Sequence, residues 1–188
     1  LQAVASQLAS PDGSSFVRFL DQAAGNGMTT DNTPMQVDAA VEAAAAAYPG
    51  WRDTPITKRV QVMFRMKALL EDNLHDLAKL LATEMGKTYN EARGDVLKAI
   101  EVVDLACAVP VTMQGDSLMN VADGYDTVSY REPMGVFAGI VPWNFPAMIP
   151  MGWMTPLAIT TGNTFVLKAA SFVPQTAMAI AKLFEEAG

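Results

Sequence analysis

The chain has 188 residues, of which 51% are hydrophobic and 18% are charged, and these proportions are typical of a globular protein with one sizeable core. The net charge of −7 argues against nucleic acid as a partner, because phosphate binding needs clustered Lys and Arg. The single cysteine excludes an internal disulfide, and interrupted apolar runs predict no transmembrane segment.

Residues 1–35 are rich in turn formers, with one short apolar helix candidate at Phe16–Ala23. We interpret this region as an arm of unclear structure. The chain begins with Leu1 rather than methionine, which favours processing, trimming or origin from a longer sequence. The lone cysteine fits a mitochondrial-matrix or cytoplasmic location, and the absent initiator methionine favours the mitochondrial matrix.

Residues 36–115 are predicted to be helical. An Ala-rich helix over Gln36–Tyr48 should end at Pro49-Gly50, and Thr54 should cap a second helix that runs to Gly86. Thr88 should cap a third, from Tyr89 to about Val109. The residues expected to face inward from the second and third helices are Val60, Met63, Phe64, Leu70, Leu74, Leu77, Val96, Ala99, Val103, Ala106 and Cys107.

Residues 116–188 predict an α/β arrangement. Two apolar β-rich runs, Val136–Val141 and Thr164–Leu167, flank an apolar segment that opens after Asn144-Phe145-Pro146, and a helix follows from Pro174. An extended crossover at Tyr125–Arg131 should precede them. This order is that of a parallel βαβ unit, which binds ligands where the chain leaves the carboxyl ends of its strands. The sequence thus predicts a nucleotide-type site at these exits.

Three separated runs carry a resemblance to a known family. Residues 131–136 (REPMGV), 142–146 (PWNFP) and 162–168 (GNTFVLK) closely resemble the aldehyde dehydrogenase superfamily. Residues 144–150 (NFPAMIP), 94–96 (GDV) and 130–131 (YR) are most similar to its methylmalonate-semialdehyde dehydrogenase branch, whose members form acyl-CoA. The resemblance implies a partial Rossmann-like parallel sheet, with residues 36–115 as the helical part of a cofactor-binding domain.

The resemblance also implies roles for individual residues. Asn144 matches the asparagine whose amide contributes to the family's oxyanion hole, although Asn144 could instead cap the following helix. Lys168 matches the lysine that reaches the adenine ribose of NAD or NADP, although it could be a solvated strand end. The residues that match the nicotinamide side of the cleft, or alternatively pack at the strand end, are Ile140, Val141, Pro142 and Trp143.

Three positions depart from the family pattern. Ser171 stands where a glutamate usually binds the ribose hydroxyls, which indicates either a change to NADP or weak or absent cofactor binding. Gly152 is the expected site of a one-residue insertion, which would rotate the rest of its helix by about 100° unless a π-bulge absorbs it. Lys98 replaces an arginine of the branch, either as a weaker contact for a substrate carboxylate or as a solvated lysine.

The family's cysteine nucleophile and glutamate base have no counterpart in the sequence. Cys107 lies on an apolar helical face beside Asp104 and is interpreted as an inert buried thiol. His75 is the only histidine, so we expect no metal site. We favour a truncated, non-catalytic pseudoenzyme subunit whose open sheet edge is covered by a protein partner. The alternative is a fragment of an active NAD(P)-dependent semialdehyde dehydrogenase that forms an acyl-CoA or an acid.

Overall fold

The computed structural model describes residues 17–19 and 34–188 of the chain. Its strands are β1 (Val17–Phe19), β2 (Ser117–Ala122), β3 (Tyr125–Val128), β4 (Val136–Ile140) and β5 (Thr164–Lys168). Its α-helices are α1 (Pro34–Asp53), α2 (Ile56–Asp72), α3 (Leu74–Met85), α4 (Tyr89–Cys107), α5 (Val109–Thr112), α6 (Thr155–Thr160) and α7 (Pro174–Ala187). A π-helix, Met148–Met154, precedes α6. No helix among the described residues is long and apolar enough to cross a membrane.

A parallel sheet in the order β1-β5-β4 is the centre of the fold. Val136 pairs with Thr164 and Ile140 with Lys168, so β4 and β5 run side by side in one register. This pairing confirms the predicted βαβ unit and the α/β class. Strand β1 pairs in parallel with β5, so the predicted helix at Phe16–Ala23 is wrong for Val17–Phe19. The rest of that candidate lies outside the described residues.

Helices α2, α3, α4 and α7 pack with the βαβ unit around one core. Met63, Leu70, Val96 and Val103 are fully buried, as their helical spacing predicted. Phe64 is 50% exposed, contrary to prediction, because it is about 100° around the helix from the buried Met63.

Two helix ends are capped by residues that lie next to them in the sequence. Gly86 ends α3 in the left-handed conformation (φ 82°), which costs glycine little. Thr88 and Glu91 form a capping box at the start of α4, which confirms the predicted cap. The predicted single helix up to Gly86 is divided at Asn73, whose side chain donates a hydrogen bond to Leu69 O (2.8 Å).

Helix α1 continues through Pro49 and Gly50 to Asp53, so the predicted stop is wrong. Contacts with the βαβ unit hold its last turns. Tyr48 Oη donates to Pro133 O (2.9 Å) and Trp51 Nε1 donates to Ile159 O (2.7 Å). Thr54 does not cap α2 with its side chain. Its hydroxyl instead donates to Gly50 O (2.9 Å), and Pro55 occupies the cap position.

The first four residues of the expected crossover at Tyr125–Arg131 instead form β3, the second strand of an antiparallel hairpin with β2. Every residue of the two strands is exposed. A strand with neither face buried lacks the strict alternation that sequence patterns detect, which explains the error.

The segment that connects β4 to β5 contains the π-helix. Thr155 N–H bonds to Pro150 O, five residues back, which is the spacing of a π turn. Gly152 lies in this helix and packs so tightly that an added Cβ would come within 2.8 Å of Ala99 Cα. The structure thus has a π turn at Gly152, where the sequence predicted that a one-residue insertion would be absorbed by a π-bulge or would rotate the rest of the helix.

Candidate functional site

The carboxyl ends of β4 and β5 lie side by side. Ile140 and Lys168 are register partners, and Val141 N–H bonds to Lys168 O (3.3 Å). Ile140 is 82% exposed, whereas Val141 is buried. The structure therefore brings together the residues predicted from both strand ends, with Val141 in the core and Ile140 at the surface.

Large apolar side chains are exposed in the two loops that leave these strands. Trp143 is 56% exposed in the loop after β4, and Phe172 is 82% exposed in the loop after β5. Pro142 is also exposed. Exposed aromatic groups at strand exits suit the planar rings of a nucleotide. Phe172 was not singled out from sequence, because a single phenylalanine in a short loop carries no periodic signal.

The Lys168 ammonium is held close to its own loop. Its Nζ donates to Ala169 O and to Ser171 Oγ, both at 2.9 Å. An ammonium group has three N–H donors, so these two bonds leave one for a ligand. A half-buried cation beside a hydroxyl fits the hydroxyls or the phosphate of a ribose. Ser171 is neutral, so it adds no negative charge beside the Lys168 ammonium.

Asn144 is half-buried in the loop that follows β4. The first residue before the π-helix is Ala147, which has no side-chain capping bond, so the alternative that Asn144 caps this helix is wrong. Within residues 34–188 the Asn144 side chain has no hydrogen-bond partner. An amide without a partner at a strand exit is able to donate to a ligand oxygen.

Sequence reasoning assigned no role to the buried side chain of Asp95. Its Oδ1 accepts a hydrogen bond from Met148 N (2.8 Å), and Lys87 Nζ lies 3.2 Å from its Oδ2. Burial raises the pKa of Asp95, while the Met148 N–H and Lys87 oppose that rise. The GDV motif draws attention to Asp95 in the sequence. The two partners of Asp95, Met148 and Lys87, are 53 and 8 residues away from it, so the motif does not reveal them.

The other candidate residues, Lys98 and Cys107, are both on helix α4. Lys98 is exposed and pairs with Glu101 (2.6 Å) on its own helix, so its substrate role stays a prediction. Cys107 is half-buried, and its Sγ donates to Val103 O (3.4 Å). Burial, followed by the negative charge of Asp104, raises the pKa of Cys107, which disfavours the reactive thiolate.

His75 hydrogen-bonds the hydroxyl of Tyr89 at the surface. Across the described part of the chain, no three His, Cys, Asp or Glu side chains are grouped so that they could hold a metal ion.

Comparison with known proteins identifies the family of this chain. The profile of the aldehyde dehydrogenase family matches residues 22–188. A mitochondrial acylating methylmalonate-semialdehyde/malonate-semialdehyde dehydrogenase from Bos taurus is 44% identical, over 86% of this chain and 30% of its own length. A malonate-semialdehyde dehydrogenase from Pseudomonas aeruginosa is 49% identical, over 79% of this chain and 30% of its own length.

A solved structure shows the same fold. A methylmalonate-semialdehyde dehydrogenase from Sinorhizobium meliloti, described as putative and complexed with NAD, has a TM-score of 0.80 and 39% identity. The match covers 83% of this chain and 32% of that one. This chain thus spans about 30% of the length of the curated relatives that it matches. The profile, the relatives and the shared fold show that the chain belongs to the aldehyde dehydrogenase family.

Proposed function

We propose that this chain provides the dinucleotide-binding surface and an oxyanion-stabilising amide of an NAD(P)-dependent semialdehyde dehydrogenase that forms an acyl-CoA or an acid. The observation that carries the proposal is the Asn144 amide, half-buried and without a partner in residues 34–188, at the exit of β4. The exposed Trp143 precedes it, and Lys168 ends the adjacent strand.

The relatives support the enzymatic alternative over the non-catalytic one. Those with 44% and 49% identity are both named as dehydrogenases. Nothing in the comparisons supports a pseudoenzyme subunit. A partner that covers the sheet edge and a mitochondrial or cytoplasmic location stay predictions, since one relative is named as mitochondrial and another comes from a bacterium.

Asn144 would act on the oxygen of the aldehyde. When a nucleophile adds to an aldehyde, negative charge develops on this oxygen, and an amide N–H stabilises the charge without titrating. Because Asn144 has no competing hydrogen bond among the described residues, its amide N–H groups need not break one to reach the substrate. A bound NAD(P) would accept the hydride.

Lys168 and Ser171 would bind the adenosine ribose and favour NADP over NAD. The ammonium is held 2.9 Å from Ser171 Oγ, and serine supplies no carboxylate that would repel a 2′-phosphate. The 2′-phosphate is an anion whereas the ribose hydroxyl is neutral, so only the phosphate gains Coulomb attraction to the Lys168 ammonium in addition to a hydrogen bond.

Calorimetric titration of the chain with NADP and NAD tests the binding surface. We expect tighter binding of NADP, a reversed preference in Ser171→Glu, and weakening of both in Lys168→Met by roughly tenfold or more. Lys182→Met, on the solvent side of the last helix, is the control and should bind as the wild type does. Equal binding of both cofactors by the wild type and Ser171→Glu would contradict the assignment.

The proposed reaction is tested on the protein as the cell produces it. The measurement is the turnover of malonate semialdehyde and of methylmalonate semialdehyde, each with and without CoA. Replacing Asn144 by alanine should lower kcat about 10²–10³-fold, as removal of one oxyanion donor does. The exposed Asn90 gives a matched control, since Asn90→Ala should leave kcat unchanged. An unchanged kcat in Asn144→Ala would remove the amide from the mechanism.

A further inference from the structure

A buried ion pair, formed by Lys87 and Asp95, contacts the segment that follows Asn144. The Asp95 side chain is 0% exposed and the Lys87 side chain 15% exposed, with 3.2 Å between Lys87 Nζ and Asp95 Oδ2. Taking two charges out of water is costly, and apolar side chains of similar size are often equally stabilising. The position of the pair therefore needs an explanation other than stability.

The pair holds the chain after Asn144 by two contacts. Asp95 Oδ1 accepts from Met148 N at 2.8 Å, on the first residue of the π-helix. Lys87 Nζ lies 4.1 Å from the centre of the Phe145 ring, within the range of a cation–π contact. One buried pair thus fixes both ends of the stretch 145–148.

Asn144 itself depends on this stretch for its orientation. Its side chain has no hydrogen bond to the described residues, so no hydrogen bond sets its direction. The residue that follows it is Phe145, whose ring contacts the Lys87 ammonium. The backbone that the pair holds is therefore a local constraint on the Asn144 amide.

We propose that Asp95 and Lys87 are positioning residues that fix the backbone after Asn144 and so aim its amide at the reacting oxygen. The inference about order at Asn144 follows from the contacts alone, and only its link to turnover rests on the proposed function. Neither residue touches substrate in this proposal.

The decisive variant is the double substitution Lys87→Met with Asp95→Leu. It removes both buried charges together, so it avoids the penalty of an unpaired buried charge, and its unfolding midpoint in urea should fall only by the effect of the unsatisfied Met148 N–H. It also removes the acceptor of Met148 N–H. We expect the Met148 amide to exchange with deuterium about 10–100 times faster, and the Asn144 side-chain amide to gain amplitude in nitrogen-15 relaxation.

The matched control is Lys67→Met with Asp104→Asn. This ion pair also joins helix α4 to a neighbouring segment, at 2.8 Å, but both side chains reach solvent. The control should change neither the Met148 exchange rate nor the Asn144 relaxation. Wild-type exchange at Met148 and wild-type relaxation at Asn144 in the Lys87/Asp95 double variant would overturn the proposal.

Turnover then separates this inference from the proposed function. In the active protein, the Lys87/Asp95 double variant should lower kcat and leave the KM for the cofactor unchanged. If Asn144→Ala has full kcat while the double variant loosens Asn144, the proposed function fails and the positioning stands. If Asn144→Ala loses kcat but the double variant has wild-type exchange and kcat, the positioning fails and the function stands.

Discussion

Two asparagines at opposite ends of the same βαβ unit have opposite environments. Asn163, before β5, accepts through Oδ1 from Met134 N (2.7 Å) and Gly135 N (3.0 Å). Its Nδ2 donates to Ala158 O and Thr161 Oγ1. Asn144, after β4, makes no side-chain hydrogen bond within residues 34–188. The amide at the amino end of the unit is held by four hydrogen bonds, while the amide at the carboxyl end has none among the described residues.

The same division extends to the surroundings of the two ends. At the amino end, Arg59 is only 5% exposed and donates to three carbonyl groups, while Trp51 donates to a fourth. At the carboxyl end, Ile140 and Trp143 are mostly exposed. Side-chain hydrogen bonds are thus concentrated at one end of the unit and exposed apolar side chains at the other, so substitutions at each end should have separable effects.

The largest effect should follow from removing the buried guanidinium of Arg59. Arg59→Met leaves the buried carbonyl of Thr160 and the partly buried carbonyls of Arg52 and Thr54 without this donor. An unsatisfied buried group costs about 1–3 kcal/mol and a partly buried one less, so we expect the free energy of unfolding in urea to fall by about 3 kcal/mol. The exposed Arg93 is the control, and an equal loss in Arg93→Met would contradict this account.

The two asparagines can be compared directly by alanine substitution. Asn163→Ala should lower the free energy of unfolding by about 2–3 kcal/mol, because two backbone N–H groups lose their acceptor. Asn144→Ala should change it by less than about 0.5 kcal/mol, as expected when no hydrogen bond is lost. Urea unfolding measures both. Equal losses would show that the two ends are not functionally distinct.

Two glycine substitutions test how tightly the segment between β4 and β5 packs on helix α4. Gly152→Ala places a Cβ 2.8 Å from the Ala99 backbone and should cost about 1–3 kcal/mol of unfolding free energy. Gly94→Ala, with nothing within 4 Å of its Cβ inside α4, should instead stabilise by about 0.5–1 kcal/mol. Thermal unfolding distinguishes the two signs, and a tolerated Gly152→Ala would mean that the π-helix can move away from α4.

The smallest effect concerns pH and Asp95. Burial raises the pKa of Asp95 above its ordinary value of 3.8, so folding favours the protonated form. The stability that this gives is fully present below the unfolded pKa and is lost as the pH rises through the folded pKa. The unfolding free energy of the wild type minus that of Asp95→Asn should therefore decrease from acid to neutral pH. If this difference in unfolding free energy instead increased with pH, folding would lower the pKa of Asp95 and the predicted direction would be wrong.

Much of the fold could be predicted from the sequence because its signals are local. The parallel strands, the helix from Pro174 and the Thr88 cap each depend on residues within a few positions of one another. The hairpin could not be found, because neither face of β2 or β3 is buried. The stop at Pro49-Gly50 was wrong because contacts with the βαβ unit hold the helix beyond it.

The sequence by itself determined which residue types stand at the strand exits, and through them the family. Only the tertiary structure decided that Asp95 binds the start of the π-helix and that Glu84 binds Thr176 N (2.9 Å) at the start of α7. These carboxylates are 53 and 92 residues from the N–H groups that they accept from. A helix start needs an acceptor, but a distant side chain can supply it only after the chain has folded.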